Sequence, residues 1–256
     1  MNKSVFVTGA TNGTGFAIAS RFAKEGYDVF IGSRTEEKAQ AAANQIAEKY
    51  GVNAKGYGMV VFDQDDVKRI FADIRAQGYL LDTLVLNAAN LGIKQETLTV
   101  DIKDFMEVIN TNIGWNFMMV QQAALQMKEK GKGSIVFITS NTAYRAIPNR
   151  AAYSSSKSGI LGLSRTLAVD LGKYGIRSNC VLPGMIKTDR WLSNYNNCRN
   201  VLSNYTPLQD IAEFEDVANA AYYLGDYGES RNTTGAEIVV DGGNNVQLYP
   251  EVPENK

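Results

Sequence analysis

The chain has 256 residues, 45% of them apolar and 21% charged, with a net charge of -1; that composition suits a soluble globular protein whose core needs no covalent staples. The balanced charge, without basic blocks, excludes a nucleic-acid partner and a membrane-surface role from the expectations. Histidine is absent, which excludes Ser-His-Asp and Cys-His catalysis and His-ligated metal, and Cys180 and Cys198 fit no metal or redox spacing, so no metal is expected.

Strand-like apolar runs alternate with helical patterns along the chain. Lys3–Thr8 is a predicted strand and Gly15–Lys24 a helix; Asp28–Gly32 and Glu36–Tyr50 repeat the pair. A strand at Ala54–Val61 precedes a helix at Asp66–Gln77, and Thr83–Asn87 is a short buried strand. Two helices are predicted at Asp101–Asn110 and Ile113–Glu129. Ser134–Thr139 is a strand, Ala151–Lys173 a long helix and Ile176–Leu182 a strand. Phe214–Leu224 is a helix and Glu237–Val240 the last strand. Such alternation implies α/β architecture, a parallel sheet with helices on both faces, in one domain over residues 1–256. The irregular stretch Lys187–Gln209, with Trp191, Tyr195 and Tyr205, has the length of a lid or binding loop. Small residues on several faces of the helix from Ala151 suit close packing, against a second subunit or within a rigid core. No signal-peptide pattern precedes Val5-Phe6-Val7, and no apolar run reaches the ~20 residues of a membrane span. The expected location is cytoplasmic.

Thr8-Gly9-Ala10-Thr11-Asn12-Gly13-Thr14-Gly15 joins the first strand to the first helix. Glycines there allow a tight turn and close approach of the backbone to a phosphate, and the helix N-terminus offers free N–H groups and a positive dipole. Gly9, Thr11, Asn12, Gly13, Thr14 and Gly15 are therefore candidate cofactor-binding residues. Ser33-Arg34 follows the second strand. An acidic residue there selects NAD, whereas Arg34, with the Ser33 hydroxyl, suits the 2′-phosphate of NADP. NADP(H) is thus expected over NAD(H). Asp63 could accept the adenine amino group or cap the next helix; Gln64 beside it is a further cofactor candidate. Asn87 and Ala88 leave room for a ribose. Tyr153-Ser154-Ser155-Ser156-Lys157 places Tyr and Lys one turn apart on a helical face. A free tyrosine, with a pKa of ~10, is a poor acid–base group near neutrality, and a nearby ammonium would lower it.

These segments together resemble the short-chain dehydrogenase/reductase family. The resemblance rests on the Thr8–Gly15 loop, Ser140, Tyr153-x-x-x-Lys157, Pro183-Gly184-Met185-Ile186-Lys187-Thr188 and Val240-Asp241-Gly242-Gly243, in that order over residues 3–246. It implies a Rossmann-like doubly wound parallel sheet in a three-layer α/β/α sandwich, and hydride transfer between a nicotinamide cofactor and a small carbonyl or alcohol substrate. Tyr153 would be the general acid and base, Lys157 would hold the nicotinamide ribose and lower the Tyr153 pKa, and Ser140 would bind the substrate oxygen. Asn112 would hold a water of a proton relay. Pro183, Gly184, the Ile186 backbone and the Thr188 side chain would grip the nicotinamide. The resemblance also implies a homotetramer or homodimer. Leu86-Asn87-Ala88-Ala89 departs from the family's Asn-Asn-Ala-Gly, and Thr14 stands where Ile is usual. Substrate candidates are a 3-oxoacyl thioester, a hydroxysteroid or bile acid (Trp191, Tyr195 and Tyr144 lie near the site), and a sugar or polyol. The rival function is a catalytically silent dinucleotide-binding sensor or scaffold; intact Ser140, Tyr153 and Lys157 argue against it.

Overall fold

The computed structural model describes residues 2–188 and 205–249. Strands β1 (Ser4–Thr8), β2 (Asp28–Ser33), β3 (Ala54–Gly58), β4 (Thr83–Leu86), β5 (Gly133–Ile138), β6 (Ile176–Pro183) and β7 (Glu237–Val240) form one sheet. Their spatial order is β3-β2-β1-β4-β5-β6-β7, and every adjacent pair is parallel. The helices are α1 (Gly13–Lys24), α2 (Glu36–Tyr50), α3 (Gln64–Ala76), α4 (Ile102–Ile109), α5 (Asn116–Lys130), α6 (Ala151–Gly172), α7 (Phe214–Gly225) and the short α8 (Tyr227–Ser230). Among the described residues, no helix is long and apolar enough to cross a membrane.

Successive side chains of a strand face opposite ways, and here each face has its own core. Phe6 of β1 and Ile135 and Phe137 of β5 pack with α3, α5 and α6. Val5 and Val7, with Val136 and Ile138, pack with α1, α2 and α7. The helices match through apolar stripes at helical spacing, as with Ala39, Ala42, Ala43 and Ile46 on α2. Two helix layers around one sheet make the expected α/β/α sandwich.

Three expectations are corrected. The third strand stops at Gly58 rather than Val61, because Gly58 pairs with Ser33, the last residue of β2, and no ladder remains beyond it. The third helix begins at Gln64, two residues early, because Asp63 caps it. The helices predicted with a break around residues 111–112 are continuous: a π-helical turn, Asn110–Trp115, joins α4 to α5. The wider turn shifts the phase of the apolar stripe, which in sequence reads as a gap. Of the proposed lid, 189–204, including Trp191 and Tyr195, lie outside the described residues, as does Cys198. Cys180 is buried in β6, where burial pushes its thiol up to about 11.

Candidate active site

The strand order reverses between β1 and β4, so the loops leaving their carboxyl ends diverge and open a crevice. The β1 loop enters it with Gly9 in the left-handed region at φ 64°. A Cβ on Gly9 would lie 3.0 Å from the Ala88 Cα, so loop and β4 end touch backbone to backbone. Asn87 clamps the loop: its Nδ2 donates to the carbonyls of Thr8 (3.1 Å) and Gly9 (3.0 Å). The Thr8 hydroxyl in turn accepts from the amides of Asn87 and Ala88, both at 3.0 Å. Gly15 lies under this clamp; a Cβ there would sit 2.6 Å from the Asn87 Nδ2 and 2.8 Å from the Ala10 Cα. Thr11, Gly13 and Thr14 are half-buried and Asn12 is exposed along the loop. No side chain caps α1 at Asn12, and the first-turn amides face outward as a cradle for a phosphate. The residues present therefore fit a dinucleotide.

At the end of β2, Ser33 Oγ donates to the Thr35 carbonyl at 2.7 Å, which holds the turn. Arg34 is exposed and makes no hydrogen bond or ion pair among the described residues. Asp63 takes the second of the two roles open to it: its Oδ1 accepts from the amides of Asp65 and Asp66, both at 2.9 Å. Gln64 is exposed beside it.

Ser140 comes after Thr139, which follows the last residue of β5, and is 9% exposed. It starts a short 3-10 turn (Asn141–Ala143), its Oγ accepting from the Thr142 amide at 3.2 Å. Tyr153, in the first turn of α6, has its hydroxyl near enough to the Ser140 side chain for that side chain to pull its pKa down. Lys157, one turn on, is 3% exposed. Its Nζ donates to the Ile138 carbonyl at 3.0 Å and lies 5.6 Å from the centre of the Tyr153 ring. Burial lowers the Lys157 ammonium to about 8. Burial also raises the Tyr153 phenol above its usual range, against the opposing pull of the Ser140 side chain and the Arg150 charge. The expectation that Lys157 holds the phenol down is thus corrected. Desolvation outweighs the favourable contacts, and the cation that pulls the phenol down is Arg150.

Asn112 sits in the π turn, wholly buried. Its Nδ2 donates to the Asn90 carbonyl (2.9 Å) and to Ser156 Oγ (2.9 Å), while its Oδ1 accepts from the Asn90 amide (2.7 Å). Ser156 Oγ donates on to the Tyr153 carbonyl at 2.7 Å. Asn112 thereby ties the β4 loop to the catalytic helix; both its amide hydrogens are used, and its backbone carbonyl accepts from Asn116 Nδ2 at 2.8 Å.

Pro183 and Gly184 carry β6 into the site. A Cβ on Gly184 would lie 2.5 Å from the Asp241 Cβ, so this turn packs tightly on the Asp241 turn after β7. Beyond it the chain is laced to the segment before α7: Ile186 bridges Ala212, and the Lys187 amide donates to the Ala212 carbonyl at 2.9 Å. Lys187 pairs with Glu213 at 2.7 Å. Thr188, at the edge of the described residues, donates its amide to the Ile186 carbonyl at 2.8 Å.

Sequence reasoning missed Thr8, Asn90 and Ser156, which act through the backbone and carry no signature of their own. It also missed Arg150. Its position three residues before Tyr153, hence one turn away on the same face, was the available signal.

A family profile described as Enoyl-(Acyl carrier protein) reductase matches residues 9–245. A 3-oxoacyl-(acyl-carrier-protein) reductase of Chlamydia trachomatis serovar D is 33% identical over 245 residues, covering 95% of this chain and 97% of that protein. A gluconate 5-dehydrogenase from Burkholderia cenocepacia J2315, solved with NADP and tartrate, has a TM-score of 0.89 at 25% identity, with 97% of each chain covered. A 7α-hydroxysteroid dehydrogenase solved with NADH and 7-oxo glycochenodeoxycholic acid has a TM-score of 0.87 at 29% identity, covering 94% of this chain and 93% of that one. With the glycine loop, the Ser140–Tyr153 pair over a buried Lys157 and the parallel sheet of seven strands, this chain belongs to the short-chain dehydrogenase/reductase family and is an oxidoreductase.

Proposed function

We propose that the chain interconverts a ketone and a secondary alcohol with NADP(H), using Tyr153 as general acid in reduction and general base in oxidation. The observation that carries this reading is the Ser140–Tyr153 hydroxyl pair set over the buried Lys157, at the mouth of the β1–β4 crevice. A bound nicotinamide supplies or accepts the hydride. Ser140 and Tyr153 both reach the substrate oxygen. Ser140 donates a hydrogen bond to it, and Tyr153 passes it a proton as negative charge develops there, so the product leaves as a neutral alcohol. Lys157 holds the nicotinamide ribose and offers its ammonium to the face of the phenol. Asn112 seats a relay water through which Tyr153 is reprotonated.

The cofactor's phosphates would be held by Gly9, Thr11, Asn12, Gly13, Thr14 and Gly15. Asn87 and Ala88 would meet the ribose, Gln64 the adenine, and Pro183, Gly184, Ile186 and Thr188 the nicotinamide. The choice of NADP over NAD rests on Arg34, an exposed guanidinium directly after β2 with no ion pair among the described residues; the nearest acidic residues, Glu36 and Glu37, open α2. The substrate is a small carbonyl or alcohol compound. Relatives point to a 3-oxoacyl thioester, an oxo bile acid and gluconate. We place the protein in the cytoplasm, as one domain that assembles into a homodimer or homotetramer.

The test is consumption of NADPH over 3-oxoacyl thioesters, oxosteroids and keto-sugars, repeated with NADH and with Tyr153→Phe. The expected result is turnover of at least one class, an NADPH preference above about tenfold, and loss of turnover in the variant. Tight NADPH binding without turnover of any class would instead support the silent-sensor reading.

A further inference from the structure

We infer that Arg150 is a specificity-determining residue of this site and that the substrate it selects carries a carboxylate. The inference rests on the carbonyl–alcohol chemistry proposed above and adds to it a chemical class of substrate.

Arg150 immediately precedes α6, one turn before Tyr153. Its Nη1 donates to the carbonyls of Leu91 (2.9 Å) and Gly92 (2.8 Å), which uses both hydrogens of that nitrogen and fixes the plane of the guanidinium. A guanidinium has five donors in a rigid fork. The remaining edge, Nε and Nη2, has no acceptor among the described residues, and no carboxylate among them lies within ion-pair distance of Arg150. That edge presents two parallel N–H groups, the arrangement that a carboxylate fills with two hydrogen bonds.

Arg150 is half-buried and lines the same cleft as Tyr153. Val100, Phe105 and Val108 supply apolar walls that suit a carbon chain. The loop around it is held shut by the Gln95 amide on the Asn149 carbonyl at 3.2 Å. A half-buried cation without a counter-ion is costly unless a ligand completes it. Asp104 lines the same cleft and is exposed. A ligand in the cleft meets both charges, and a singly charged carboxylate is repelled by Asp104 less than a doubly charged phosphate is. The Arg150 charge also acts on Tyr153, pulling its phenol down.

The experiment compares 2-oxo, 3-oxo, 4-oxo and 5-oxo acids, each against its primary amide, by NADPH consumption with wild type, Arg150→Gln and Arg150→Lys. Wild type is expected to prefer the best acid over its amide by at least about tenfold in kcat/KM, the strength of a charged hydrogen bond. In Arg150→Gln that ratio collapses toward unity through a raised KM for the acid, and Arg150→Lys keeps part of it. The inference is overturned if wild type reduces amides as well as acids. It is also overturned if Arg150→Gln slows acid and amide in proportion, as loss of a purely structural anchor for Leu91 and Gly92 would do. If wild type reduces no ketone, charged or neutral, the parent reading fails and takes this one with it.

Discussion

Gly15→Ala tests the clamp beneath the glycine loop. The added methyl would sit 2.6 Å from the Asn87 Nδ2 and 2.8 Å from the Ala10 Cα, closer than real side chains approach. The Ala10 atom is backbone, and Asn87 is fixed by two hydrogen bonds to the loop, so neither can swing aside cheaply. Overpacking of this kind costs about 1–3 kcal/mol, and each lost clamp hydrogen bond adds about 1 kcal/mol. The loop must therefore shift, and a shift costing about 1.4 kcal/mol of cofactor contact weakens binding about tenfold. Gly26→Ala is the control: Gly26 has φ 79° but nothing within 4 Å of the added methyl. It should lose about 1 kcal/mol from backbone strain alone, or about 2–4 °C in Tm, with unchanged cofactor affinity. Titration of NADPH by fluorescence, with a thermal melt of each variant, separates the two. Gly15→Ala binding NADPH as tightly as wild type would refute the clamp.

The other predictions concern individual side chains. Asp63→Ala removes the cap of α3 and should cost about 1 kcal/mol, seen as a lower Tm, with NADPH affinity within about twofold of wild type; a large affinity loss at unchanged Tm would return Asp63 to the adenine. Arg34→Ala should weaken NADPH by about 10–100-fold and leave NADH nearly untouched, from loss of charged hydrogen bonds to the 2′-phosphate; equal effects on both cofactors would defeat the assignment. Burial lowers Lys157 from 10.5 to about 8, so the unfolded chain holds that proton more tightly than the folded one. The resulting penalty is full below about pH 8 and is relieved as pH rises toward 10.5. Lys157→Met should thus gain stability relative to wild type by up to about 3 kcal/mol near pH 7, with the gap narrowing by pH 10. Urea unfolding of both proteins across that range measures it, and a gap independent of pH contradicts the shift.

Much of the fold was legible because strand and helix periods differ. β7 was bounded at Glu237–Val240 from sequence, since a short apolar run between turn residues has few alternative readings. The π turn was not legible: Asn110–Trp115 inserts an extra residue into the helical period, and a local reading can only register a break. Catalytic identities were legible through spacing, as with Tyr153 and Lys157. Their electrostatics were not, because burial is a property of the whole packed core. Lys157 is buried beneath the sheet end, and its ammonium turns to the Ile138 carbonyl of β5. Asn87 was read as a ribose neighbour, and its two bonds to the Thr8 and Gly9 carbonyls depend on β1 and β4 lying side by side. Arg150 was overlooked because its meaning depends on the carbonyls of Leu91 and Gly92, nearly sixty residues away in the chain.

The central claim is that Tyr153 moves the proton. Its most direct test is the single-turnover rate of ketone reduction by NADPH-loaded Tyr153→Phe against wild type, with NADPH affinity measured in parallel. Loss of a general acid predicts a fall of about 10²–10⁴-fold with NADPH affinity nearly unchanged. A variant that keeps a rate within a fewfold of wild type would contradict the account.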